Sequence, residues 1–181
     1  MIQLNARPAS KDDTVALLLE CHERIRRYSA MAVQLARSTD EEPAIVQDAA
    51  QRVHRYFSVA LPLHVIDEDE SIRPRLEPVA PPPVVSALEK MSQQHQHIDA
   101  MLERLLHAWD EVRQNPARLS EKLDWLPSAT KSFQAVMGEH LSLEETVLFP
   151  FMRQAWDPAT HERVVQEMRA RRQPSAGSPP R

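Results

Sequence analysis

Two stretches decide the reading of this chain: HVIDEDESIRP at 64–74 and HLSLEETVLFP at 140–150. Each begins with a histidine, places a glutamate four residues on and ends with a proline ten residues on. With 16 Glu and 15 Pro among 181 residues, a random histidine has about a 0.7% chance of both, so two among eight arise about twice in a thousand. The i, i+4 spacing sets His64 with Glu68, and His140 with Glu144, on one helix face a turn apart. A helix supplies two ligands to one centre in this way.

Outward from these stretches, apolar residues recur at alternating three- and four-residue steps, as in helices that bury one stripe. Residues 12–37 give Val15, Leu18, His22, Ile25, Ser29, Ala32 and Ala36, and residues 43–72 give Val46, Ala50, Val53, Phe57, Ala60, His64 and Glu68. Residues 84–114 give Leu88, Met91, His95, Ile98, Leu102, Leu105, Trp109 and Val112, and residues 128–154 give Phe133, Met137, His140, Glu144, Val147 and Phe151. His22 and His95 are each followed at i+3 by an isoleucine, Ile25 and Ile98, so the first members of the two halves repeat as well. The chain reads as tandem helical hairpins, 12–76 and 84–152. Short links between long amphipathic helices favour an all-α, up-down-up-down antiparallel four-helix bundle.

The links are proline-marked. Residues 38–43 join the first pair, with Asp40 or a neighbour as the cap and Pro43 in the first turn. The five prolines of 73–83 separate the hairpins, and a short helix over 119–126 is expected before Pro127. This divides the chain into an N-terminal extension at 1–11, the bundle at 12–154, a C-terminal helical extension at 155–172 and a disordered tail at 173–181. One mismatch follows: counted from their common turn, His22 and His64 miss level by roughly 9 Å. Pro62, inside the second helix, would have to bend or shift it.

Composition narrows the function. Two glycines, Gly138 and Gly177, cannot write a phosphate-binding glycine loop, and their scarcity argues against a sheet protein. The single Cys21 excludes a disulfide framework and a thiolate metal site within the chain, and it fits a reducing cytoplasm. Neither a signal peptide nor a membrane-spanning run is expected. A net charge of −4 lacks the basic excess that nucleic-acid binding requires.

Every stripe carries a histidine where spacing demands a core residue, and a buried imidazole needs a hydrogen-bond partner or a metal. His22, His64, His95 and His140, with Glu68 and Glu144, are six candidate ligands for one site. Such a set suits iron, manganese or zinc, and six side chains exceed the demand of one tetrahedral zinc. Two ions bridged by Glu68 and Glu144, each histidine terminal, would use all six and leave positions open. Ferritin-like diiron bundles use Glu then His at i+3; the order here is His then Glu at i+4, against ferritin-type oxidase chemistry.

On His22, His64-x3-Glu68 with Pro74, His95, and His140-x3-Glu144 with Phe149-Pro150, residues 12–152 resemble the hemerythrin-like proteins with the HHE cation-binding domain. The resemblance implies a four-helix bundle with a non-haem centre of two iron ions, ahead of manganese or zinc, bridged by Glu68 and Glu144. The ligand it implies is dioxygen or another small diatomic or peroxide. In place of the second helix-three histidine of hemerythrins proper stands Met91, a weak iron ligand. That departure favours sensing, scavenging or iron and oxygen handling over reversible carriage. Redox or repair chemistry on peroxide, nitric oxide or iron–sulfur damage is the alternative, and a metal-stapled structural domain is a third; whether the chain is an enzyme stays open.

Other residues are read as structural. His97 points ~200° away from His95 and belongs to the surface. His54 sits beside the second stripe, either at the surface or as a group supporting the ligands, and His107 and His161 carry no role. Cys21 is read as a small buried hydrophobe, and Tyr28 and Tyr56 as packing residues.

Overall fold

The computed structural model describes residues 13–173, and among them the chain is all-helical, with no strand. Helix α1 is Thr14–Leu35, capped by the Asp13 carboxylate, which accepts from the Val15 N–H at 3.0 Å. Helical run α2 covers 43–79 and starts with Pro43 in its first turn. Helix α3 is Pro82–Gln114, opening in the proline run where missing N–H groups cost nothing. Run α4 covers 126–155, and α5 is Pro158–Arg171, capped by Asp157. The N-terminal extension expected at 1–11 and, past Gln173, the disordered tail expected at 173–181 lie outside the described residues.

Three local expectations need correction. The helix does not stop at Arg73: it continues as Arg73–Leu76 and a 3-10 turn at Glu77–Val79. Glu42 rather than Asp40 precedes Pro43, and its side chain makes no capping bond. The short segment between α3 and α4 is a 3-10 helix at Pro116–Lys122, with Leu126 already in α4.

Prolines can sit inside α2 and α4 because a widened turn precedes each one. A proline has no N–H, and its ring crowds the carbonyl four residues back. Wide π turns at Tyr56–Ala60, Asp67–Ile72 and Glu144–Leu148 end two residues before Pro62, Pro74 and Pro150. In each, the residue before the proline donates its N–H five residues back: Leu61 to Tyr56, Arg73 to Glu68 and Phe149 to Glu144. Two of the three acceptors are the glutamates of the repeated motif. Such turns are frequent at functional sites.

Two apolar clusters flank a polar layer, and successive helical runs cross it in alternating order. Along α1 the chain goes from Val15 and Leu18, through His22, to Ile25 and Ala32 in the other cluster. Along α2 it returns from Phe57 and Leu61, through His64 and Glu68, to Ile72 and Leu76. Along α3 it goes from Leu88 and Met91, through His95, to Ile98 and Leu102. Along α4 it returns from Phe133 and Met137, through His140 and Glu144, to Leu148 and Met152. Burying one large apolar side chain contributes ~1.5–3 kcal/mol, so two packed clusters can fix a costly polar layer between them. Val164 and Met168 of α5 join the first cluster.

Candidate metal centre

The polar layer consists of the six residues singled out by the repeat. His22, His64, Glu68, His95, His140 and Glu144 are all buried, none more than 4% exposed. They form two groups, one of His22, His64, Glu68 and Glu144 and one of Glu68, His95, His140 and Glu144, with donor atoms in each within 4.8 Å of one another. The carboxylates belong to both groups, and each directs a different oxygen to each. Glu144 Oε2 is 3.0 Å from His22 Nε2, whereas its Oε1 is 3.0 Å from His140 Nε2. Glu68 Oε1 is 3.0 Å from His64 Nε2, whereas its Oε2 is 3.1 Å from His95 Nε2.

Only the His95–Glu68 contact is a hydrogen bond; the other three have the spacing of coordination edges. His22 Nε2, His64 Nε2, Glu68 Oε1 and both oxygens of Glu144 are buried without a hydrogen-bond partner. Two donors at ~2.1 Å from one ion, at right angles to each other, stand ~3.0 Å apart. The atoms are aimed at common points rather than at one another, and the donor set of neutral imidazole and carboxylate suits a divalent first-row metal.

A second ring of polar groups holds the imidazoles, and it follows the same repeat. Glu145 Oε1 is 2.7 Å from His22 Nδ1 and is itself held by Arg26 at 2.7 and 2.9 Å. Asp69 Oδ1 is 3.3 Å from His95 Nδ1. The acid that follows each shared glutamate therefore faces a histidine from the other half of the chain, hydrogen-bonded for Glu145 and at ion-pair distance for Asp69. Gln94 Oε1 is 3.3 Å from His140 Nδ1. Partners of this kind set the tautomer and orientation of metal-binding imidazoles. The sequence alone does not single out Asp69, Glu145 or Gln94. The signal for the first two was present, since an acid follows the glutamate in both repeats, but the same pairs also read as solvated acidic runs.

In the metal-free chain, protons supply the positive charge. Burial alone would lower His64 and His95, but Glu68 holds His64 well above its usual range, and hydrogen bonds to Asp69 and Glu68 raise His95 to about 10. Burial likewise works against the charge on Glu68, yet the neighbouring His64 keeps its carboxyl well below the ordinary value. Glu145 is pushed up by burial and pulled down further by His22 and Arg26. Buried Glu68 thus stays ionised because cations face it.

Residues 13–152 match the Hemerythrin HHE cation binding domain, with a second match over 87–172. The chain belongs to the hemerythrin HHE cation-binding family. The first match spans all six residues of the layer, and the second contains His95, His140 and Glu144. No curated protein matches the chain.

Within this hemerythrin-like site the expected level mismatch disappears: the rings of His22 and His64 lie 5.3 Å apart, and those of His95 and His140 lie 4.9 Å apart. The π turn at Tyr56–Ala60 removes rise before His64, and the connection at 36–42 takes up the rest. His97 is exposed, whereas His95 faces the core. His54 lies 3.8 Å from Asp110 and outside the layer. Met91 is buried in the apolar cluster with Leu88 and Leu18. Cys21, expected as a buried hydrophobe, is part-exposed, because it stands one residue off the stripe and turns toward a surface cavity. No helix among the described residues is long and apolar enough to cross a membrane.

Proposed function

We propose that this is a non-haem diiron protein that binds dioxygen or a related small ligand for sensing or scavenging. Its bundle, with up-down-up-down antiparallel topology, takes in the described residues up to 154, and α5 extends it. His22 and His64 would hold one iron and His95 and His140 the other, with Glu68 and Glu144 donating to both. The observation that carries this reading is the paired carboxylates, each with one oxygen in either group. The reversed order of apolar clusters along successive runs supports the antiparallel topology.

Iron in this set supplies redox chemistry and open coordination positions for a small ligand. The chain supplies the surroundings. Ile25, Ile98 and Leu102 exclude water from one side, while Leu18, Leu88 and Met91 exclude it from the other. Glu145, Asp69 and Gln94 orient three of the imidazoles through their Nδ1 atoms. Met91 brings no imidazole to the centre, which favours sensing or scavenging over reversible carriage. The single Cys21 fits a cytoplasmic setting.

Anaerobic loading with ferrous iron, metal counting, and absorption spectra before and after air test the reading. Two irons per chain and an air-dependent visible spectrum are expected. A single iron at saturation, or a spectrum indifferent to air, overturns it.

A further inference from the structure

On the outer side of His64, α1, α2 and the end of α5 enclose a cavity of about 440 Å³. Arg24, Arg52, Arg55 and Arg172 line it, and no carboxylate does, in a chain whose net charge is −4. Carboxylates outside the lining offset three of these charges, two of them only weakly. Arg24 meets Glu20 at 3.6 Å and Arg52 meets Asp48 at 3.5 Å, both at exposed positions where such pairs contribute ~0–1 kcal/mol. Arg55 has no ion-pair partner among the described residues. Only Arg172 is tightly paired, with buried Asp67 at 2.6 Å.

We propose that this cavity binds a small organic oxyanion with two charged groups, a bisphosphate or a dicarboxylate. Four guanidiniums around one concavity repel each other, and an anion bridging them relieves that repulsion. Their planar forks match phosphate and carboxylate oxygens two at a time. The rest of the lining suits the organic part of such a ligand: Tyr28 and Tyr56 stack at 4.0 Å to form a flat wall, and Val59 and Leu63 add apolar surface. Burial pushes the Tyr56 phenol up, so it stays protonated and does not add negative charge.

The floor of the cavity is His64, whose Nε2 faces Glu68 and whose ring has the Cys21 thiol of the same lining beside it. It is the one candidate ligand of the four histidines whose second nitrogen meets no carboxylate or amide. An anion seated here therefore touches the outer face of a proposed iron ligand. The consequence, which rests on the diiron reading, is reciprocal coupling: anion and metal change each other's affinity by a common factor. Anion binding itself needs no metal.

The test is calorimetric titration of the full chain, both metal-loaded and metal-free, with fructose 1,6-bisphosphate and, separately, with succinate at low salt. At least one probe is expected to bind at one site with a Kd below about 1 mM. The exposed double variant Arg52→Gln/Arg55→Gln should weaken it about tenfold or more while metal content stays at the wild-type value. Whichever probe binds distinguishes a phosphorylated from a carboxylated ligand. If neither probe binds either form, or if the double variant binds as the wild type does, the proposal is overturned. Binding that vanishes on metal removal places the anion on the metal and overturns it too. A wrong iron count would sink the diiron reading but leave the metal-free titration intact.

Discussion

Replacing Glu145 by Ala leaves all six candidate ligands in place and removes only the carboxylate that holds His22. Glu145 Oε1 lies 2.7 Å from His22 Nδ1, and Arg26 fixes that carboxylate with contacts of 2.7 and 2.9 Å. A hydrogen bond to a charged group contributes ~1.5–3 kcal/mol, and loss of a partner that orients a metal-binding imidazole costs ~10–100-fold in metal affinity. The two figures agree, since ~1.4 kcal/mol is a factor of ten. Alanine is at least as good a helix former as glutamate, so the backbone of the π turn is not penalised. Competition with a chelator should therefore show metal affinity about 10–100-fold weaker in Glu145→Ala. Glu145→Gln, which keeps a neutral acceptor, should recover most of the loss. The neighbouring Glu144→Ala, which removes a carboxylate shared by both groups, should lose at least one ion outright. If Glu145→Ala binds metal within about twofold of wild type while Glu144→Ala does not, His22 is held by packing alone, against the Phe149 ring 5.0 Å away.

Other perturbations probe different parts of the same arrangement. Asp67, fully buried beside Glu68, accepts from Arg171 at 2.8 Å and Arg172 at 2.6 Å and ties α5 to the π turn. Asp67→Ala removes the acceptor shared by both guanidiniums, leaving Arg171 only Ser71 and Glu70, and should cost about 3 kcal/mol, a fall in Tm of about 6–12 °C by calorimetry; an unchanged Tm would show that α5 is held by its apolar face. His95→Ala should lower metal content, whereas exposed His97→Ala should not, and the reverse result would rotate α3 away from the structure. In the metal-free chain the raised His95 stabilises the fold fully below 6.5, and that contribution is lost as pH rises to about 10. Denaturant titration should thus show metal-free stability falling across that window. Metal affinity should rise across it, because ligands must shed protons. Calorimetry in buffers of different ionisation enthalpy should find proton release on metal binding at pH 7, and none would contradict the charged state of His95.

The sequence by itself determined the helices, their buried faces and the six residues of the polar layer. Those features are local. A 3.6-residue period places Leu18, His22 and Ile25, or Met91, His95 and Ile98, on one stripe regardless of what that stripe meets. The His-x3-Glu repeat, by the same rule, puts two donors on one face. Tertiary structure decided what those residues face. The grip of Glu145 on His22 spans 123 positions, and no periodicity connects the two. Asp69 and Glu145 stand in acidic runs, 67–70 and 144–145, and gain a role only because the other half of the chain brings an imidazole to each. The wide turns before Pro62, Pro74 and Pro150 also depended on packing, since a proline in isolation breaks a helix as readily as it widens one. Here both flanking stretches are anchored in apolar clusters, so the chain stays helical, the carbonyls of Glu68 and Glu144 accept from five residues on, and their side chains reach both groups. Cys21 went the other way. One position off the stripe, it was assigned to the core by its residue type, but the packing of α1 against α2 left it on the wall of an arginine-lined cavity.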